Sequence, residues 1–180
     1  GISVNLGANP NVLLIRPDKI GDVILTLPAV ESIGRKFAQS RITFLCSSYT
    51  APLLENHPMI QEVICADKYS FSSLVNRIRS GQFRLAVHFY VEPRTAAATC
   101  FARVPVRVGP FSKAVALLLN ERVAQHRSRV EKHEAEYNLD LARYCGADGV
   151  SFPPRIYLTE TERLKGKAIL VGLGFEPESR

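Results

Sequence analysis

The fold of this 180-residue chain is decided by the stretch Arg16-Pro17-Asp18-Lys19-Ile20-Gly21-Asp22-Val23-Ile24-Leu25-Thr26-Leu27-Pro28. The stretch directly follows an apolar run, Val12 to Ile15, which is short and partly β-branched. Such a run is typical of a fully buried strand in a parallel sheet. A helix is predicted to begin near Asp22. Strand, short polar loop and helix in that order form the place where open α/β sheets bind ligands, outside the carboxyl end of the strand.

The loop itself carries residues suited to a functional site. Asp22 lies in the predicted first turn of the helix, where unsatisfied backbone N–H groups favour an ionised carboxylate. Gly21 has no side chain to hinder a ligand, and Asp18 and Lys19 add two charged groups. An alternative is that Asp22 only caps the helix and that Asp18 and Lys19 form a solvated turn.

Strand and helix signals alternate along the rest of the chain. Further strands are predicted over residues 41–46, 63–66 and 83–90, and helices over residues 23–37, 49–56, 70–80 and 131–147. Repeated β-α-β units with short loops predict a Rossmann-like, doubly wound parallel α/β sheet with right-handed crossovers. We assign residues 1–150 to this domain, 151–167 to a linker that contains Pro153-Pro154, and 168–174 to a further strand.

Residues 16–28 also carry a recognisable motif, Arg-x-Asp-x-Ile-Gly-Asp-x-x-Leu-x-x-Pro. It resembles the opening of glycosyltransferase family 9, the ADP-heptose:lipopolysaccharide heptosyltransferases. In that family the Asp of the Gly-Asp pair is the proposed general base, and this role falls on Asp22. The resemblance implies an inverting transfer from ADP-heptose to the lipopolysaccharide inner core, with no metal and no cofactor, by a two-domain enzyme of the GT-B type.

The later part of the chain extends the resemblance. Residues 130–141 resemble the family segment in which a His, followed three residues later by an acid, begins a helix, and His133 is therefore expected to support the site without touching substrate. Residues 168–180 resemble the first strand and loop of the nucleotide-sugar-binding domain. The resemblance therefore implies that the chain is the amino-terminal acceptor domain, truncated after that strand, and we expect it to be inactive alone.

One segment of the chain is strongly basic. Between Pro93 and Lys132 lie eight basic and two acidic residues, a net of +6 that equals the formal net charge of the whole chain. This pattern indicates an anionic partner, or else an Arg-rich solvated face. The resemblance implies acceptor-side loops over residues 91–96 and 106–110. Because carboxylates and phosphates favour Arg donors, it also suggests that Arg94, Arg107 and Lys113 bind an anionic glycolipid acceptor of the lipid A–Kdo type.

Other classes are disfavoured by the sequence. The segment has few aromatic residues, which argues against nucleic acid, and the acids form no cluster for a metal ion. Four dispersed cysteines predict buried, reduced thiols. No apolar run is long enough to span a bilayer and the amino terminus has no secretion signal, so we expect a cytoplasmic protein, with peripheral contact to the inner membrane through its acceptor.

Two rival functions remain open at this stage. A dinucleotide-binding oxidoreductase domain has the same strand-loop-helix start, although the loop lacks Gly-x-Gly-x-x-Gly. The second rival is a non-catalytic α/β module that binds a glycolipid or another polyanion through the basic segment.

Overall fold

The computed structural model describes residues 1–111, 114–125 and 133–173. These residues contain six parallel strands in the order β3-β2-β1-β4-β5-β6. The strands are β1 (Val12–Ile15), β2 (Ile42–Cys46), β3 (Glu62–Cys65), β4 (Leu85–His88), β5 (Val106–Pro110) and β6 (Glu121–Val123). The helices are α1 (Ile20–Ile24), α2 (Leu27–Lys36), α3 (Phe71–Ser80), α4 (Pro93–Phe101), α5 (Glu134–Tyr144) and α6 (Glu160–Gly172), with 3₁₀ turns at Ala51–Leu53, Ala66–Lys68 and Ala114–Leu118.

The first strand lies in the middle of this sheet. β1 pairs in parallel with β2 on one side, Ile15 opposite Leu45, and with β4 on the other, Ile15 opposite His88. Every residue of β1, β2 and β4 is buried, as expected when helices cover both faces. Helices α2 and α5 cover one face and helices α3 and α4 the other, which confirms the predicted parallel α/β sheet.

The predicted helix over residues 23–37 is wrong in one respect, because it is divided into α1 and α2. Pro28 lies in the first turn of α2, where its missing N–H is tolerated. Just before it, Thr26 is buried and its hydroxyl donates to the carbonyl oxygen of Val23 at 2.6 Å. The chain therefore turns between the two helices. The predicted helix over residues 49–56 is also wrong, since only Ala51–Leu53 forms a 3₁₀ turn.

Helix α4 replaces a predicted acceptor-side loop. The loop was expected over residues 91–96, but Pro93 begins a helix and Glu92 caps it, with its side chain accepting from the N–H of Arg94 at 3.1 Å. A second expected loop, over residues 106–110, is strand β5. The four cysteines are free, as predicted, but only Cys46 and Cys145 are buried.

The predicted strand over residues 168–174 is wrong in its described part, because Ala168 to Gly172 belong to helix α6. A capping box starts this helix: the Thr159 hydroxyl accepts from the N–H of Glu162, and the Glu162 carboxylate accepts from the N–H of Thr159, which fixes the helical direction at its first turn. All residues of α6 are exposed. The domain boundary at 151–167 stays a prediction. None of the described helices has the length and apolar character of a membrane span.

Candidate active site at the end of the first strand

Three carboxylates surround one buried arginine immediately after β1. The Arg16 side chain is 4% exposed, and its Nε and Nη2 donate to the two carboxylate oxygens of Asp18 at 2.7 and 3.1 Å. Its Nη1 donates to Glu134 Oε1 at 2.9 Å, and its Nη2 lies 3.4 Å from Asp22 Oδ1. Because a buried charge must be paired, Arg16 fixes all three carboxylates in one place.

The sheet topology creates the space for this cluster. The chain runs from β1 to β2 on one side of β1, but β4 lies on the other side, so β1 and β4 border the topological switch point where such sheets bind ligands. Arg16 spans this crevice: its Nη1 donates to the carbonyl oxygen of Phe89 after β4 at 3.3 Å, and its guanidinium lies 5.5 Å from the ring centroid of Tyr90. Glu134 joins from the first turn of α5. Loops after two central strands and one helix start thus converge.

The cluster has a surplus of negative charge. Three carboxylates and one guanidinium carry a formal charge of −2 when all are ionised. Burial raises the pKa of Asp18 above its usual range, the bonds from Arg16 oppose this rise, and the nearby Asp22 carboxylate adds to it. Burial lowers the pKa of Arg16, but its bonds to Asp18 and Glu134 outweigh burial and raise it. Arg16 is therefore permanently charged.

Asp22 differs from the other two carboxylates in how it is held. It has the longest contact with Arg16, and its side chain is 32% exposed, against 24% for Asp18 and 26% for Glu134. It is not a helix cap, because Lys19 occupies the N-cap position of α1. With only five residues, α1 has a weak dipole, and Arg16, 3.4 Å away, supplies the positive charge beside the Asp22 carboxylate. Asp22 is positioned, yet open to a ligand.

The other predicted site residues near this cluster are exposed. Lys19 and Gly21 lie at the surface of the loop, and a side chain at Gly21 would meet no atom within 4 Å. His133 is the exposed N-cap residue of α5, makes no side-chain cap bond, and directly precedes Glu134. The loop therefore lies beside the Arg16 cluster, and Glu134 rather than His133 is the contact from α5.

Two predicted acceptor arginines have structural partners instead. Arg94 donates to the carbonyl oxygens of Ala66, at 3.0 Å, and of Tyr69, and Arg107 donates to those of Leu118 and Val104 at 2.9 and 2.7 Å. Each guanidinium thus spends two of its five N–H donors on backbone carbonyls, and these bonds hold it against the domain. Lys113 lies outside the described residues.

Sequence reasoning missed Arg16 and Glu134 as site residues. A signal for Arg16 was present, because an arginine that directly follows four buried apolar residues must find an acid nearby. Glu134 had none, since it lies 118 residues away along the chain. Among the described residues, no group of three His, Cys, Asp or Glu side chains could hold a metal ion.

Comparison with known proteins identifies a sequence relative. No family model matches the chain. A Haemophilus influenzae protein named "Putative glycosyltransferase" is 38% identical over 136 residues, which are 73% of this chain and 39% of that protein. The chain therefore spans well under half the length of this relative.

Solved structures share the fold. A glycosyltransferase family 9 protein of Veillonella parvula superposes with a TM-score of 0.79 at 20% identity, over 93% of this chain and 50% of that protein. The Escherichia coli ADP-heptose lipopolysaccharide heptosyltransferase II gives 0.73 at 18% identity, over 89% and 50%. An E. coli heptosyltransferase solved with ADP gives 0.64 at 16%, over 83% and 49%. The resemblance to glycosyltransferase family 9 is confirmed: the sequence relative is a glycosyltransferase by name, and the fold matches half of each family 9 structure.

Proposed function

We propose that this chain is the acceptor-binding half of an inverting glycosyltransferase of the two-domain GT-B type, with Asp22 as general base. The observation that carries this proposal is the open carboxylate of Asp22, held 3.4 Å from a buried arginine at the switch point of the sheet. A base must reach the proton that it removes and must not be consumed by structural bonds. Of the three clustered carboxylates, Asp22 meets this requirement best.

The proposed reaction needs only one proton acceptor on this half. An acceptor hydroxyl attacks the anomeric carbon of the donor sugar, its proton passes to Asp22, and the bond between that carbon and the diphosphate breaks. Arg16 keeps the Asp22 carboxylate aimed at the crevice and offsets part of the negative charge. Asp18, bonded through both oxygens, holds Arg16 in turn. Pre-positioning of this kind is what lowers the barrier.

The proposed donor and acceptor come from the proteins whose structures superpose on this chain. ADP-heptose and lipopolysaccharide are named for the E. coli structure that superposes on 89% of this chain, so we propose ADP-heptose as donor and the anionic inner core as acceptor. The exposed Lys19 beside the cluster supplies a cation for the acceptor's acidic groups. Arg94 and Arg107 are not part of this proposal, because two bonds to backbone carbonyl oxygens tie each guanidinium to the domain.

The oxidoreductase alternative loses support at the same place. A dinucleotide's pyrophosphate would lie at the end of β1, where the Arg16 cluster has a formal surplus of two negative charges. The repulsion disfavours a diphosphate there.

Replacing Asp22 by Asn tests the proposal. The protein assayed is this chain joined to the carboxy-terminal half of the Veillonella parvula family 9 protein, with ADP-heptose and a Kdo-bearing acceptor. Asp22→Asn keeps the shape but removes the base, so turnover should fall by at least about 10² while acceptor affinity stays within a fewfold.

Two further variants make the result specific. Asp140→Asn makes the same chemical change on α5, where Asp140 pairs with Arg143, and should leave turnover unchanged. Asp18→Asn weakens the hold on Arg16 and should reduce turnover less than Asp22→Asn does. Turnover that survives Asp22→Asn but is abolished by Asp18→Asn would move the base to Asp18.

A further inference from the structure

The outer surface of α3 and α4 exposes two aromatic side chains. Phe71 and Phe101 are 41% and 62% exposed, and their rings pack edge to face with centroids 6.0 Å apart. Both helices cover the sheet face opposite to α2 and α5. A pair of large apolar rings left at a surface marks a contact site more often than a scattered single residue does.

Two arginines flank these rings. An open cleft of about 630 Å³ is lined by Arg79, Cys100, Phe101, Ala102 and Arg103. Arg79 donates to the carbonyl oxygen of Phe101 at 3.0 Å, which places its guanidinium beside the backbone of Phe101. Arg103 is exposed, and within residues 1–111, 114–125 and 133–173 its guanidinium has no hydrogen bond or ion pair. The rings and the charges thus form one surface, Phe71, Arg79, Phe101 and Arg103, here named the α3–α4 patch.

Arg103 has an unfavourable backbone conformation. The N–H of Arg103 donates to the carbonyl oxygen of Cys100 at 2.9 Å and that of Val104 to Thr99 at 3.1 Å, the bonding of a Schellman turn at the end of α4. Arg103 is the residue with positive φ, +59°, where glycine is preferred. The turn would form more easily with glycine, so the arginine side chain points to a role outside the fold.

The surrounding sequence is nearly free of acids. Between Asp67 and Glu121, Glu92 is the one acidic residue, against eight basic residues. Glu92 is bound as the cap of α4. Within the described part of the chain, no ion pair neutralises the exposed charges of Arg79 and Arg103 in the α3–α4 patch.

We infer that the α3–α4 patch docks this domain on an anionic lipid surface. Arginines attract the headgroups of anionic lipids, and aromatic rings insert at the boundary between headgroups and acyl chains. Nucleic acid fits less well, because bases stack on open ring faces, whereas these two rings pack perpendicular to one another. The inference rests on α3 and α4 alone and does not depend on the role of Asp22.

Vesicle co-sedimentation of the 180-residue chain tests this inference. Equimolar phosphatidylglycerol and phosphatidylcholine vesicles should bind the chain, with an affinity that falls as salt rises, and pure phosphatidylcholine vesicles should not. The double variant Phe71→Ser/Phe101→Ser should weaken binding by at least about tenfold, and Arg103→Gly by about fivefold. Arg163→Ala, which removes one exposed charge from α6, should leave binding unchanged.

Arg103→Gly separates docking from stability. Because glycine adopts a positive φ without strain, this variant should melt no lower than the wild type while it binds vesicles more weakly. Alkylation gives a local readout: anionic vesicles should protect Cys100, which lines the cleft, and leave the half-buried Cys65 of β3 unaffected.

Three results would overturn the inference. The first is equal binding to neutral and anionic vesicles. The second is full vesicle binding by Arg103→Gly together with loss of binding in Arg163→Ala, a result that would place docking on α6. The third is capture of polyuridylate RNA without any vesicle binding, which would assign the patch to nucleic acid.

Discussion

At the scale of single residues, Arg16 links the fold to the candidate site. Its side chain is almost fully buried, and its donors are taken by two carboxylates and a backbone carbonyl while a third carboxylate lies 3.4 Å away. Such a group contributes little net stability compared with an apolar core, but removing it leaves its partners uncompensated. Arg16 therefore holds together residues from the start and the end of the domain.

Arg16→Met should destabilise the domain by about 3–5 kcal/mol at neutral pH, because three carboxylates then lie together without a counter-charge. Arg16→Lys keeps the charge but not the two parallel bonds to Asp18, and should lose less. Repulsion raises the pKa of the clustered carboxyls in Arg16→Met, so its deficit should narrow as the pH falls toward about 4. Urea unfolding across pH measures this, and a constant deficit would show that the carboxylates do not repel one another.

His88 makes stability depend on pH. It is fully buried at the end of β4, its Nε2 lies 3.0 Å from the Thr99 hydroxyl, and among the described residues its Nδ1 has no partner. Burial, and then the charge of Arg107, lower its pKa to about 3. Below the ordinary pKa of about 6.5 the unfolded chain takes up a proton that the folded chain refuses.

Stability should therefore fall by up to about 1.4 kcal/mol per pH unit on acidification below about pH 6.5, owing to His88 alone. His88→Gln keeps a polar partner for Thr99 but does not titrate, so its stability curve should be flatter by this slope. Urea unfolding of both proteins at several pH values gives the comparison. Burial also lowers the pKa of His57, so the same measurement on His57→Gln gives the contribution of this second histidine. Identical slopes in wild type and His88→Gln would contradict the assignment of the slope to His88.

Among the helices, the effect of a cap on the stability of the domain should depend on what the capped helix packs against. The Ser70 hydroxyl accepts from the N–H of Ser73 at the start of α3, and α3 buries Leu74 and Ile78 on the sheet. Thr159 caps α6 in the same manner, but α6 has no buried residue. The two caps are chemically alike and differ in what their helices support.

Ser70→Ala should lower the free energy of global unfolding by about 1 kcal/mol, the usual value of a lost cap. Thr159→Ala should leave global unfolding unchanged and instead reduce helical circular dichroism and amide protection within residues 160–172. Hydrogen exchange by mass spectrometry resolves the two segments. A drop in global stability in Thr159→Ala equal to that in Ser70→Ala would mean that α6 packs on the domain.

Local pattern explains which elements could be predicted. The central strands were predictable because their apolar runs are buried on both faces, as at Val12–Ile15 and Ile42–Cys46. Helix α4 was not, because small residues such as Ala96 and Ala98 give a weak periodicity in sequence. The apolar run at the end of α6 favoured a strand, but a strand needs a neighbour to pair with, and none of the described strands pairs with it. The contact between Arg16 and Glu134 depends on tertiary structure and left no local signal.

Across the molecule as a whole, negative and positive charge lie in different places. The Arg16 cluster at the switch point is negative in sum, whereas the segment between Asp67 and Glu121 is basic. Of the residues that sequence reasoning assigned to the acceptor, Arg94 and Arg107 bond to backbone carbonyls. The exposed Arg79 and Arg103, which it did not assign, face solvent. Net charge alone therefore indicated an anionic partner without locating its binding surface.

The 180-residue chain alone should fold but bind no ADP in the micromolar range and transfer no sugar. A diphosphate needs donors and positive charge, while the crevice between β1 and β4 offers three carboxylates around an arginine whose donors are occupied. Isothermal titration with ADP should show no binding by this chain and micromolar binding once it is joined to the carboxy-terminal half of a family 9 relative. Asp22→Asn in the joined protein serves as the control and should leave ADP affinity unchanged, since Asp22 belongs to the acceptor side. Micromolar ADP binding by the chain alone would place the donor site in this half and contradict its proposed role as the acceptor-binding half.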